Sequence, residues 1–268
     1  MREGLRDSTP RMAILVTALI VPVILGLWTS LMPPKGLINL RGVLWLILAG
    51  ITAPGFGRTF LVLSLYHLGV ARSAPITNSH PFAVAIFAIL FLGEKPGVSV
   101  MLGMVAIVGG VVLITARGSS ESWQRRHLVY PIGTAVFVAA AIIMRKTGMN
   151  YIPHPLFGAF LASAAALPCF LLLMPRLPTG GRTGLTRHSI ACFGSAAVVN
   201  CLGAYFFFKA LQLGDVTVVA PLMTTTPLFN LILAYIFLRY LEPLSRRVVI
   251  GTIMTVLGTA AILLFQGR

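Results

Sequence analysis

Phe91-Leu92-Gly93-Glu94-Lys95-Pro96, with Gly103 and Gly110 behind it, is answered in the second half of the chain by Phe237-Leu238-Arg239-Tyr240-Leu241-Glu242, with Gly251 and Gly258 behind it. Glu94, Gly103 and Gly110 meet Glu242, Gly251 and Gly258 at a displacement of 148 residues. With a two-residue gap allowed before the Glu, Ser64-Leu65, Pro75, Pro81 and Phe91-Leu92 meet Ala210-Leu211, Pro221, Pro227 and Phe237-Leu238 at 146. Pro, Gly and Glu are unfavourable in membrane helices, so agreement in spacing as well as identity marks a duplication. A duplicated and almost wholly apolar chain points to a transporter.

Composition sets the class. At 57% hydrophobic and 10% charged residues, with a mean hydropathy of +0.92, a 268-residue chain has too little polar surface for a water-soluble domain. Apolar stretches long enough to span a bilayer fall at 12–33, 42–66, 74–93, 98–116, 128–144, 155–175, 189–211, 216–238 and 248–265. The first is too long for a signal-peptide core and lacks a small-x-small cleavage pattern, so it reads as a mature helix. Nearly every Lys and Arg behind the net charge of +15 falls in a short loop between spans, where it sets topology and does not call for nucleic acid. Cys169, Cys192 and Cys201 fall within spans without metal-ligand spacing and read as packing residues.

The spans from 128 onward make a five-helix unit, whereas only four precede it. Met1-Arg2-Glu3 echoes Met144-Arg145-Lys146, and Met32-Pro33 echoes Met174-Pro175, as if the first helix of the first unit were missing. The expected architecture is therefore all-α and polytopic, an inverted repeat of two five-helix units with nine transmembrane helices visible. Residues 1–116 form the first repeat, 117–127 a connecting loop and 128–268 the second repeat. Equivalent helices an odd number of crossings apart run in opposite directions, which places a substrate site near the membrane midplane between halves.

Phe91-Leu92-Gly93-Glu94, Gly103 and Gly110, with the stretch from Ser64-Leu65 to Pro81, resemble the EamA-like family of the drug/metabolite transporter superfamily. The resemblance covers essentially the whole chain. It implies a ten-helix exporter-like fold and transport of amino acids, other small metabolites or drugs, and leaves the compound open. The second copy departs from the hallmark, having Arg239-Tyr240-Leu241 before its Glu.

The hallmark residues themselves read as structural. Glu94 and Glu242 stand at helix ends, where a carboxylate can cap backbone N–H groups and meet the positive end of a helix dipole. Gly103 and Gly110, like Gly251 and Gly258, are seven apart and share a helix face suited to close packing. Site candidates are instead the interruptions within spans. Pro54 and Gly57 precede Arg58, and the 146-residue displacement sets Gly57 opposite Gly203, Pro54 opposite Asn200 and Thr59 opposite Tyr205. A second pair of breaks has Asn78 and His80 before Pro81, with Thr224, Thr225 and Thr226 before Pro227; Pro75 and Pro221 lie upstream. Paired breaks mark a cavity, although Ser and Thr beside Pro also serve simply to satisfy freed carbonyls. Arg58, about 12 Å by helical rise from the nearer end of its span, is placed to meet a carboxylate-bearing or other anionic substrate. Lys209 lies close enough to its helix end to snorkel.

The acids are Glu3, Asp7, Glu94, Glu121, Asp215 and Glu242, none well inside a span, so proton antiport on a buried carboxylate is not expected. There is no nucleotide-binding loop, metal-ligand cluster or nucleophile with a base, which argues against an enzyme and against any cofactor. The reading is a secondary transporter, exporting amino-acid-like metabolites by alternating access, in the plasma or inner membrane. Its partners are a small-molecule substrate and the lipid bilayer, with no nucleic acid and room for a homodimer. The alternatives are a carrier of phosphorylated or nucleotide-linked metabolites and, in a different class, a membrane scaffold or membrane-embedded enzyme. Loop charge puts Met1 in the cytoplasm, while the family layout without its first helix puts Met1 outside.

Overall fold

The computed structural model describes residues 10–34, 39–115, 125–173, 187–226, 229 and 246–265, and these form helices joined by short turns, with no strand among them. The helices are α1 Pro10–Leu31, α2 Leu40–Gly50, α3 Arg58–Thr77, α4 His80–Phe87, α5 Val98–Thr115, α6 Val129–Tyr151, α7 Pro155–Leu173, α8 Arg187–Leu213, α9 Val216–Met223 and α10 Arg246–Phe265. Two stretches widen to π-helix, Ile51–Gly57 between α2 and α3 and Ala88–Leu92 after α4. Among the described residues, five helical stretches are long and apolar enough to cross a bilayer: Leu40–Gly69, Arg72–Leu92, Arg125–Tyr151, Pro155–Leu173 and Phe193–Leu213. On α1, Leu19, Val23, Leu27 and Leu31 form an exposed apolar stripe at intervals of four, while Val21 and Leu25 are buried. That pattern suits a helix whose solvent is lipid. The chain is an all-α polytopic membrane protein.

Two compact units are formed, and both draw on the two sequence repeats: Met1–Leu63 with Met144–Leu213, and Ser64–Ile143 with Gly214–Arg268. In the first, α7 packs on α1, α2, the π-helical stretch and α8. Glycines set these distances: a Cβ on Gly50 would strike the Ala162 carbonyl oxygen, and one on Gly55 would lie 2.6 Å from Cys169 Sγ. In the second unit α5 packs along α10, where a Cβ on Gly103 would lie 2.8 Å from the Gly258 oxygen and one on Gly110 2.5 Å from the Gly251 oxygen. The four repeat glycines therefore meet as two pairs, sealed by Val100, Ile107, Val111 and Ile262.

Several helix ends differ from the sequence expectation for identifiable reasons. The span read as 42–66 continues to Gly69, whose backbone (φ 70°, ψ 172°) breaks α3 in a conformation open to glycine. The buried Ser64 and Ser73 hydroxyls, 2.7 Å apart, tie the two arms of α3 across the break. The span read as 128–144 runs on to Tyr151, so Arg145 and Lys146 are helical residues and not loop charges. Pro153 is the first residue there that forbids continuation. The next helix then starts with the Phe157 N–H donating to His154 Nδ1 at 3.2 Å. Gly203 was expected to break or pack a helix and does neither: α8 is continuous through it, and nothing lies within 4 Å of the position a Cβ would take. Pro227 and Glu242 lie outside the described residues.

Candidate functional site

The first unit contains an interruption well inside a span. Pro54 has no N–H to donate, and the helix answers by widening over Ile51–Gly57, with the Arg58 N–H reaching back to the Ala53 oxygen. The Thr52 hydroxyl donates to the Leu48 oxygen at 2.6 Å and the Thr59 hydroxyl to the Gly55 oxygen at 3.1 Å, holding carbonyls that the irregular turn loosens. Arg58 leaves the end of this stretch half-buried, its Cζ 5.7 Å from the centre of the Phe170 ring. Because the span ends at Gly69, Arg58 lies about 17 Å of helical rise from that end, deeper than the sequence suggested. A guanidinium at such depth carries a penalty of about 2.5–3.5 kcal/mol on insertion scales, and one cation–π contact returns about 0.5–2 kcal/mol. No Asp or Glu occurs among the described residues of this unit to supply the rest.

The counterpart residues on α8 are built differently. Asn200 and Gly203 are exposed on a regular helix, and Tyr205 packs its ring 5.4 Å from Trp28 of α1. Tyr205 is thus a packing residue in this structure, while Asn200 keeps an exposed amide.

In the second unit the two polar runs stand at ends of helices that pack on each other, α4 and α9. Asn78 and Ser79 form the turn between α3 and α4, and buried Pro81 opens α4. His80 Nδ1 lies 3.0 Å from the Thr77 oxygen. A carbonyl can only accept, so Nδ1 carries the proton and Nε2 is left as the acceptor of the neutral ring. The Thr224, Thr225 and Thr226 hydroxyls donate to the oxygens of Pro221, Leu222 and Met223 at 2.6, 2.7 and 2.8 Å. Their donor capacity is used on the backbone, and what they could offer a ligand is lone pairs. The Asn78 side chain is half-buried.

The hallmark is a joint within this same unit. Gly93 takes a left-handed conformation (φ 68°, ψ 19°) and closes the π-helical turn onto the Ala88 oxygen. The chain reversal presents Glu94 to the start of α9, where Oε1 accepts the Val216 N–H at 2.8 Å and Oε2 the Thr217 N–H at 2.9 Å. Asp215 stands at the cap position of α9 but makes no capping bond with its side chain, so Glu94 takes that role. The helix capped is not the one that follows Glu94 in sequence.

Sequence reasoning missed Arg145, because a basic pair after an apolar run looks like a loop. Gly148 behind the pair strengthens that impression, since a basic turn followed by Gly is an ordinary helix end, so no local signal marked the continuation to Tyr151. Arg145 is half-buried in α6, with Cζ 5.4 Å and 5.7 Å from the rings of Phe207 and Phe208.

With this geometry in view, the model of the EamA-like transporter family matches residues 1–116 and 126–264. The chain belongs to that family. A pseudopaline exporter, CntI, of Pseudomonas aeruginosa is 26% identical over 194 residues, covering 71% of this chain and 65% of that protein. The chain thus matches slightly less than two thirds of that relative's length. An uncharacterized transporter of Archaeoglobus fulgidus is 23% identical over 232 residues, covering 86% of this chain and 80% of the relative. A solved crystal structure superposes with a TM-score of 0.76 over 98% of this chain and 90% of its own, at 16% identity, which speaks to fold alone.

Proposed function

We propose that this EamA-like transporter exports small amino-acid-like metabolites by alternating access, without a cofactor, in the plasma or inner membrane. The observation that carries the reading is Arg58, a cation deep in a span, at the end of a proline-widened helix, in a unit without a described acid. An intramembrane ion without a fixed counter-ion is a default substrate contact, and a substrate carboxylate would complete it. The duplication supports alternating access, since inverted repeats supply two conformations of comparable energy. Export is supported by the similarity to the pseudopaline exporter. Asn200, exposed on α8 of the same unit, is a polar group offered for the rest of the substrate.

The test is counterflow in proteoliposomes loaded with a panel of unlabelled amino acids and challenged with the labelled compound. The wild type should accumulate label for at least one zwitterion, and Arg58→Ala should lower the initial rate at least tenfold. Equal rates in the two proteins would remove Arg58 from the pathway, and no accumulation of any panel member would remove the substrate class.

A further inference from the structure

We propose that Arg145 is a receiving point for a small solute oxyanion, a carboxylate or a phosphate, in the first compact unit. The inference rests on the transport reading and deepens it, since it assigns the substrate a negative group and names a residue outside the proline-widened stretch. Arg145 sits within α6, six residues before its end at Tyr151, so it is carried by a rigid element and not by a loop. Its Nε is buried and has no hydrogen-bond partner. The rings of Phe207 and Phe208 lie against the guanidinium, attracting it without offering a hydrogen-bond acceptor.

The neighbouring polar groups show what a structural role looks like here. Lys146 Nζ donates to the Leu211 oxygen at 2.8 Å, Lys209 Nζ to Gln212 Oε1 at 3.1 Å, and Gln212 Nε2 to the Pro153 oxygen at 2.9 Å. Together these bonds tie the ends of α6 and α8, and Arg145 has no part in them. A planar guanidinium presents paired N–H donors that match a carboxylate or phosphate edge, and burial without an acceptor is unfavourable until such an edge arrives. No described Asp or Glu in this unit can fill the place. Arg145 keeps partial exposure, so a solute can approach it in the folded protein.

The experiment uses the full chain in neutral detergent. Thermal unfolding is followed against succinate and inorganic phosphate, with sodium chloride at matched ionic strength as reference, for the wild type, Arg145→Gln, Arg145→Lys and Arg41→Gln, the last an exposed cation of the same unit. The expected result is saturable stabilisation of the wild type and Arg41→Gln by succinate or phosphate, with half-saturation at least tenfold weaker in Arg145→Gln. Arg145→Lys should be intermediate, having charge without the planar fork. Should the Gln variant fail to fold, phenylglyoxal labelling of the wild type read by peptide mass spectrometry decides: succinate or phosphate should slow modification of Arg145 and chloride should not. Equal stabilisation of wild type and Arg145→Gln, no effect of either oxyanion, or protection by phosphatidylglycerol micelles alone would overturn the proposal. Zwitterion counterflow in a wild type indifferent to oxyanions would sink this inference and leave the transport reading intact. Oxyanion binding at Arg145 in a protein that moves no panel member would do the reverse.

Discussion

Pro54 to Thr59 and Asn200 to Tyr205 are aligned by the internal repeat, yet one is a widened turn ending in a deep guanidinium and the other a regular stretch of α8. The duplication preserved spacing and let the chemistry diverge. Pro54 removes a backbone donor and the helix must respond, whereas Asn200 keeps its N–H and the ladder continues. Arg58 is matched by Ala204, so the cation exists in one copy only. A repeat in sequence therefore locates where a transporter can be irregular, while the residue at the break decides whether it is.

Copying the proline across is the strongest way to break this comparison. Asn200→Pro places a ring in the middle of α8 and should cost about 3 kcal/mol or more, seen as a large loss of folded protein or a much lower unfolding temperature in detergent. An Asn200→Pro variant as stable as the wild type would show that α8 tolerates the same irregularity, and the asymmetry would then be accidental. Next comes the glycine seam of the second unit. Gly110→Val adds bulk where even a Cβ would lie 2.5 Å from the Gly251 oxygen and from Thr255 Oγ1, so destabilisation of at least the ~1–3 kcal/mol typical of overpacking is expected in the same assay.

Glu94→Ala should cost about 0.5–2 kcal/mol, since it leaves the Val216 and Thr217 N–H groups at the start of α9 without their carboxylate. Faster hydrogen exchange should appear at those two amides; unchanged exchange there would contradict the cap. The smallest effect belongs to Gly203→Ala. With open space around it and a helical backbone, this change should leave unfolding unaltered or raise stability by up to ~1 kcal/mol. A clear loss would mean that Gly203 packs against something after all.

The legible part of the fold was its helical, membrane-spanning character, because apolar runs, prolines and repeat glycines report directly on lipid-solvated helices. Less legible were the places where a helix continues against local signals. Arg145-Lys146, with Gly148 behind them, looked like an ending, and no residue before Pro153 said otherwise. The end at Gly69 was hidden because a glycine can either continue a helix or break it, and composition does not say which. Of the candidate site, Arg58 stood out by depth alone. The hydroxyls of Thr224 to Thr226 could be recognised as polar in a span, but their commitment to the carbonyls three residues back is a matter of rotamer that no spacing encodes.

The most direct test of the account is the initial rate of zwitterion counterflow in proteoliposomes containing either the wild type or Arg58→Ala, at matched amounts of folded protein. The account predicts accumulation by the wild type and a rate at least tenfold lower in the variant, equivalent to about 1.4 kcal/mol of lost interaction. Equal rates would contradict it and make Arg58 a structural residue of the widened helix.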